Sequence, residues 1–157
     1  MNQTYLKSIF HYEPETGWFT WVADKKKAKA GNRAGTVSKG RYRHIKIDYK
    51  CYQEHQLAFL YMTGFMPSEI DHRNLNGLDN SWGNLRPATH FQNLCNIEMR
   101  KSNTSGFTGV YPIDKKWFSK IKHQTQVIYL GTFDSPEKAS NAYKSKALEL
   151  RGEFARV

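Results

Sequence analysis

Cysteine is nearly absent. Cys51 and Cys95 stand far apart and form no C-x-x-C pair, so the 157 residues hold neither a disulfide framework nor a four-cysteine zinc site. Long apolar runs are missing too: none approaches the roughly 18 residues of a transmembrane helix. The opening MNQTYLKSIF has neither the basic start nor the apolar stretch of a signal peptide. Acidic residues are scarce, 14 against 24 Lys and Arg, which leaves a formal charge of +10. Such an excess points to a polyanion as partner, nucleic acid first and an anionic membrane second. No helix pattern is both strongly basic and strongly apolar on opposite faces, which weighs against the membrane. Hydrophobic residues make up only 39%, too few for one large core, yet aromatics reach 14%, unlike a disordered chain. The composition is that of one ordinary domain or two small ones in a soluble, cytoplasmic protein.

What charge there is lies in two blocks. Residues 25–50 carry ten basic residues against Asp48 alone, and residues 101–157 carry ten against five acids. The stretch between them, 51–100, has three Arg and five acids and is mildly acidic. The basic run holding Lys25, Lys26 and Lys27 reads as a flexible loop, either solvated or an arm that touches phosphate.

Local patterns divide the chain further. Residues 5–12 suit a short amphipathic helix, residues 18–22 have strand composition, and residues 41–49 alternate as a half-buried strand does. EHQLAFLYMT at 54–63 predicts a helix ended by Gly64, with Pro67 beyond it; His55 within it reads as structural. Short strands at 69–72 and 84–86 flank an Asn- and Gly-rich loop, and Thr89 suits the cap of a helix over 90–100. The polar segment 101–106 reads as a linker. Strands at 107–111, 117–122 and 127–133 follow, then a helix opened by Ser135-Pro136 and closed by Gly152. These patterns predict an α+β chain with a β-rich start, a strand–loop–strand–helix middle and a βββα end.

The middle holds polar groups at fixed offsets. Asp71 and His72 sit at a strand end, Asn84 follows twelve residues after His72, and Asn93 nine after that. A carboxylate and an amide oxygen are hard ligands suited to magnesium, and an adjacent imidazole can deprotonate water. Arg73 and Arg86 are candidate phosphate clamps or ordinary salt-bridge partners. His90, one turn before Asn93, suits a phosphate contact or a cap on the hairpin.

The text IDHRNLNGLDNSWGNLR followed by ATHFQNLCN resembles the HNH endonucleases, specifically their phage homing branch. The resemblance implies a ββα-metal core within residues 54–100 that binds Mg2+ or another divalent cation such as Mn2+. It implies His72 as general base, Asp71 and Asn93 as metal ligands, and Asn84 as the structural asparagine of the loop. No structural zinc is expected, since the zinc-stabilised branch uses cysteine pairs. A single core per chain implies nicking by a monomer and double-strand cleavage by a homodimer.

Residues 105–156 resemble the Apetala/ethylene-response-factor DNA-binding domain, with GVY, KWFSKI, YLGTF and ELRGEFAR in order. That resemblance implies a three-stranded sheet laid in the major groove of double-stranded DNA and backed by one helix. Alternation yields the same faces independently: Trp117, Ser119 and Ile121 point to the helix, and Lys116, Phe118, Lys120 and Lys122 point away. Tyr111, Lys115 and Tyr129 complete the expected DNA-binding set. Thr108, Tyr111 and Ile113 stand where the plant domains carry base-reading arginines, so the plant recognition sequence does not transfer. The whole reads as a metal-dependent DNA endonuclease (residues 1–100) tethered to a DNA reader (107–157). The alternative is a non-enzymatic DNA-binding regulator on a nuclease scaffold.

Overall fold

The computed structural model describes residues 1–26, 28–96, 99 and 102–156. Lys27, assigned above to a phosphate-contacting run, lies outside the described residues. The fold is mixed α and β, with four α-helices and four small antiparallel sheets among the described residues. It divides into two compact units, Met1–Thr89 and His90–Val157.

The first unit opens with α1 (Gln3–Ile9), capped by Asn2, whose side chain accepts from the Tyr5 amide at 2.9 Å. The expected helix over 5–12 is therefore displaced. Its second half is strand β1 (Phe10–Glu13), which pairs with β2 (Trp18–Trp21). Phe10 and Tyr12 alternate inward opposite Trp21 and Phe19, and their rings pack together in the core. Strands β3 (Thr36–Ser38), β4 (Tyr42–Ile47) and β5 (Lys50–Gln53) form a second sheet in sequence order. The chain passes directly from β5 into α2 (Glu54–Thr63), which ends at Gly64 as expected. Leu57, Ala58 and Leu60 of α2 join Leu6, Phe19 and Ile45 in the unit's core.

A two-stranded sheet of β6 (Ile70–His72) and β7 (Leu85–Pro87) then carries the middle of the sequence. β7 begins one residue later than expected, because Asn84 closes a 3-10 turn, Trp82–Asn84, and spends its side chain on the loop. The loop is fixed to the first hairpin: Trp82 N donates to Pro14 O at 2.8 Å, and Tyr12 Oη donates to Asn80 O at 2.8 Å. Gly17 turns that hairpin at φ +73°, and a Cβ there would lie 2.1 Å from the Asn80 backbone. Only glycine allows both the turn and the close approach.

In the second unit, α3 runs His90–Cys95, and residues 97, 98 and 100 of the helix expected over 90–100 lie outside the described residues. Strands β8 (Val110–Ile113), β9 (Lys116–His123) and β10 (Gln126–Phe133) form a sheet in the order β10-β9-β8. β8 starts later than residue 107 because Asn103 and Ser105 engage the Phe107 carbonyl, and Gly109 turns at φ +72° against the Tyr143 ring. Helix α4 (Pro136–Arg151) has Ser135 as its N-cap, accepting from Lys138 N at 3.3 Å, and Gly152 at its end. Tyr143 and Ala147 pack it on Ile121, Ile128 and Leu130.

Candidate functional site

Asp71 and His72 are the last two residues of β6, and buried Glu54 and His55 of α2 supply further polar groups to the unit. Asp71 stands directly opposite Arg86 in the β6–β7 ladder. Its Oδ2 accepts from Arg86 Nε at 2.7 Å and pairs with Nη2 at 2.6 Å, with both side chains buried. Arg86, read as a phosphate clamp or salt-bridge partner, thus forms a buried cross-strand pair. Arg73 is exposed.

His72 is buried with a network that runs back to α2. Asn80 Nδ2 donates to Glu54 Oε2 at 2.7 Å, and that oxygen also accepts from Arg33 Nη2 at 3.5 Å. An oxygen taking donors is an acceptor, so the Asn80 amide nitrogen must face Glu54 and its carbonyl oxygen must face His72. The 3.1 Å contact between Asn80 Oδ1 and His72 Nε2 then requires hydrogen on Nε2. In the neutral ring the basic lone pair is accordingly on Nδ1. Burial lowers the His72 pKa below its ordinary value, against the opposing pull of Asn80, Asp71 and Asp79. The net shift favours the neutral imidazole.

Glu54 is fully buried at the first turn of α2, between Arg33 and Arg43 Nε at 3.9 Å. Burial raises its pKa, while Arg33, Asn80 and Arg43 pull it back. His55 is buried edge-on to His72, ring centres 5.0 Å apart, and its pKa falls to about 3, by desolvation first and then by His72 and His44. Asn84 is buried and braces the loop: its Oδ1 accepts from Asn74 N at 3.0 Å and its Nδ2 donates to Asp79 O at 2.7 Å.

The hairpin thus gathers Asp71, His72, Asn84 and Arg86 in the first unit. His90, exposed, and Asn93, half-buried, lie on α3 in the second unit. Among the described residues no three His, Cys, Asp or Glu side chains converge as a metal-holding group. Glu54, Asn80, Arg33 and Arg43 were not evident from the sequence. Their one signal was a Glu at a helix start beside His55, an ordinary feature of first turns.

Of the basic run, Lys25 and Lys26 are exposed. The expected flexible loop is a closed excursion. Lys25 N donates to Ala28 O at 2.7 Å, Ala28 N returns to Lys25 O at 3.2 Å, and Gly31 N closes on Trp21 O at 2.8 Å.

In the second unit the outward sheet face carries the predicted set except Lys115, which lies in the turn between β8 and β9. Tyr111 pairs with Phe118, and Tyr129 with Lys120. The Tyr111 and Phe118 rings stack at 5.1 Å and 22°, and Tyr129 lies 6.2 Å from Phe118. Lys120 Nζ sits 4.8 Å from the Tyr111 ring centre. Lys115 and Lys122 are exposed, and Lys116 is exposed beside Asp134 at 3.6 Å. Ser119 and Ile121 point the other way and are buried.

Comparison with known proteins bears on both units. Residues 52–94 match the family model described as HNH endonuclease. The chain is 43% identical over 61 residues to the ethylene-responsive transcription factor ERN1 of Lotus japonicus, covering 37% of this chain and 23% of that protein. It is 41% identical over 63 residues to the ethylene-responsive transcription factor RAP2-11 of Arabidopsis thaliana, covering 38% and 25%. The chain therefore spans about a quarter of the length of either relative. No solved structure matches it. These likenesses support a nuclease and DNA-binding role, and among the described residues no helix is long and apolar enough to cross a membrane.

Proposed function

We propose that the protein is a metal-dependent DNA endonuclease of the HNH homing type. Residues 1–100 form its nuclease part around a ββα-metal core, and residues 107–157 read double-stranded DNA. The observation that carries the reading is the Glu54–Asn80–His72 chain, which leaves a neutral imidazole with its lone pair on Nδ1 at the end of β6. A general base needs that state at working pH.

In the proposed reaction, His72 Nδ1 takes a proton from water as its oxygen attacks phosphorus in line with the 3′ oxygen; the P–O3′ bond breaks, and the leaving 3′ oxygen takes a proton from solvent. The products carry 5′-phosphate and 3′-hydroxyl ends. Asn80 holds the ring through Nε2, Glu54 holds Asn80, and Asn84 holds the loop. The residues proposed to hold Mg2+ or Mn2+ are Asp71, through its carboxylate, and Asn93, through its amide oxygen, both hard oxygen donors of the kind magnesium takes. Bound there, the ion would supply positive charge to the phosphate and the leaving oxygen. Arg73, His90, Lys25, Lys26 and Lys27 are proposed to contact flanking phosphates.

The Asp71–Arg86 pair favours a second reading, a DNA-binding regulator, because the guanidinium already neutralises the carboxylate. A supercoiled-plasmid assay separates the two. The endonuclease reading expects nicking that needs a divalent ion, stops with chelator and falls in Asp71→Ala and Asn93→Ala. Binding without any metal-dependent nicking would favour the regulator.

A further inference from the structure

The outward face of the β8–β9–β10 sheet has a composition its lysines do not explain. Tyr111, Ile113, Val127 and Tyr129 are 41%, 46%, 61% and 62% exposed, and the Tyr111 and Tyr129 rings flank Phe118. Lys116, Lys120 and Lys122 alternate with it along β9. None of the outward positions on these strands is Arg, Asn, Gln, Asp or Glu. Apart from lysine, which can pair with guanine, those are the side chains that hydrogen-bond base edges in pairs. Two hydroxyls of this face, Tyr129 Oη and Thr132 Oγ1, are bonded to each other. A bulge in β10 between Tyr129 and Gly131 brings them to the same side.

The ring geometry narrows the partner. Stacking of bases from a single strand requires open ring faces. Here Tyr111 and Phe118 cover one another, and Lys120 lies over Tyr111, so Tyr129 is the most exposed ring and the rest of the patch offers ring edges and aliphatic groups. The major groove of B-DNA has one apolar group of its own, the thymine C5-methyl, flanked by phosphates that suit lysine.

We propose that this face binds duplex DNA by seating thymine methyl groups of the major groove against Phe118, Tyr129 and Val127, while the lysines hold the flanking phosphates. The proposal rests on the reading of this sheet as the DNA-binding surface. It makes the protein prefer T-bearing sites by methyl contact rather than by hydrogen-bonded base readout.

Binding of the full chain at matched ionic strength tests it, with an alternating dA-dT duplex and the same duplex carrying deoxyuridine for thymidine. Loss of the methyl should weaken wild-type binding by about fourfold for each methyl buried. Methylating C5 of cytosine in an alternating dG-dC duplex should strengthen it. Tyr129→Ala, at an exposed ring that the fold does not need, should shrink both differences. Phe118→Leu, which keeps an apolar side chain, should shrink them less than Phe118→Ala. Equal affinity for the thymidine and deoxyuridine duplexes overturns the proposal, as does tighter binding to a single strand. If Lys120→Ala still weakens duplex binding in that event, only the methyl readout fails. If neither the lysine nor the aromatic changes alter duplex binding, the sheet is not the DNA surface and both readings fall.

Discussion

Acidification should unfold the first unit through His55. Burial against His72 and Tyr42 lowers its pKa from 6.5 to about 3. The unfolded chain therefore takes up a proton below pH 6.5 that the folded chain refuses until about pH 3. Stability from this group is complete above 6.5 and is lost as the pH falls through that window. Between pH 7 and pH 5 the loss amounts to about 2 kcal/mol. His72, also lowered, adds to it, and Glu54, raised, opposes it. A His55→Leu comparison removes both contributions by difference. Urea unfolding followed by tryptophan fluorescence in a Trp117→Phe background reports the first unit, through Trp18, Trp21 and Trp82. The wild type should lose about 2 kcal/mol more than His55→Leu from pH 7 to pH 5. Parallel losses would show that His55 titrates normally, and the reasoning from its burial would be refuted.

Arg86→Met should cost about 3–5 kcal/mol in urea unfolding, because it leaves the Asp71 carboxylate buried without its cation. Ser119→Ala should raise the stability of the second unit by about 1 kcal/mol, since among the described residues the buried Ser119 hydroxyl has no hydrogen-bond partner. Changing Lys25, Lys26, Lys27 and Lys29 together to Ala should flatten the salt dependence of DNA binding, by about 0.9 in log–log slope for each phosphate that is no longer neutralised. An unchanged slope would make the run a solvated turn.

Helices α2 and α4 were legible because their stop and start signals are local: Gly64 after α2, and Ser135-Pro136 before α4. The two faces of β9 followed from period-two alternation alone. Phe10 and Tyr12 misled because an amphipathic pattern over eight residues fits helix or strand, and the choice fell to rings more distant in sequence. At the candidate site, Asp71, His72 and Asn84 stood out by spacing. Their partners did not: Glu54 lies 26 residues before Asn80 in sequence and meets it only when α2 packs beside the hairpin loop. Arg86 stayed open between phosphate clamp and salt-bridge partner because cross-strand register, which turns it onto Asp71, is not written in composition. Burial decided both.

Cutting and binding part company most cleanly in a single variant. His72→Ala should slow metal-dependent nicking of supercoiled plasmid at least about 100-fold, the share a general base supplies. Its affinity for the same DNA in the presence of chelator should stay close to that of the wild type. Nicking within about tenfold of wild type would contradict His72 as the base and, with it, the proposed mechanism.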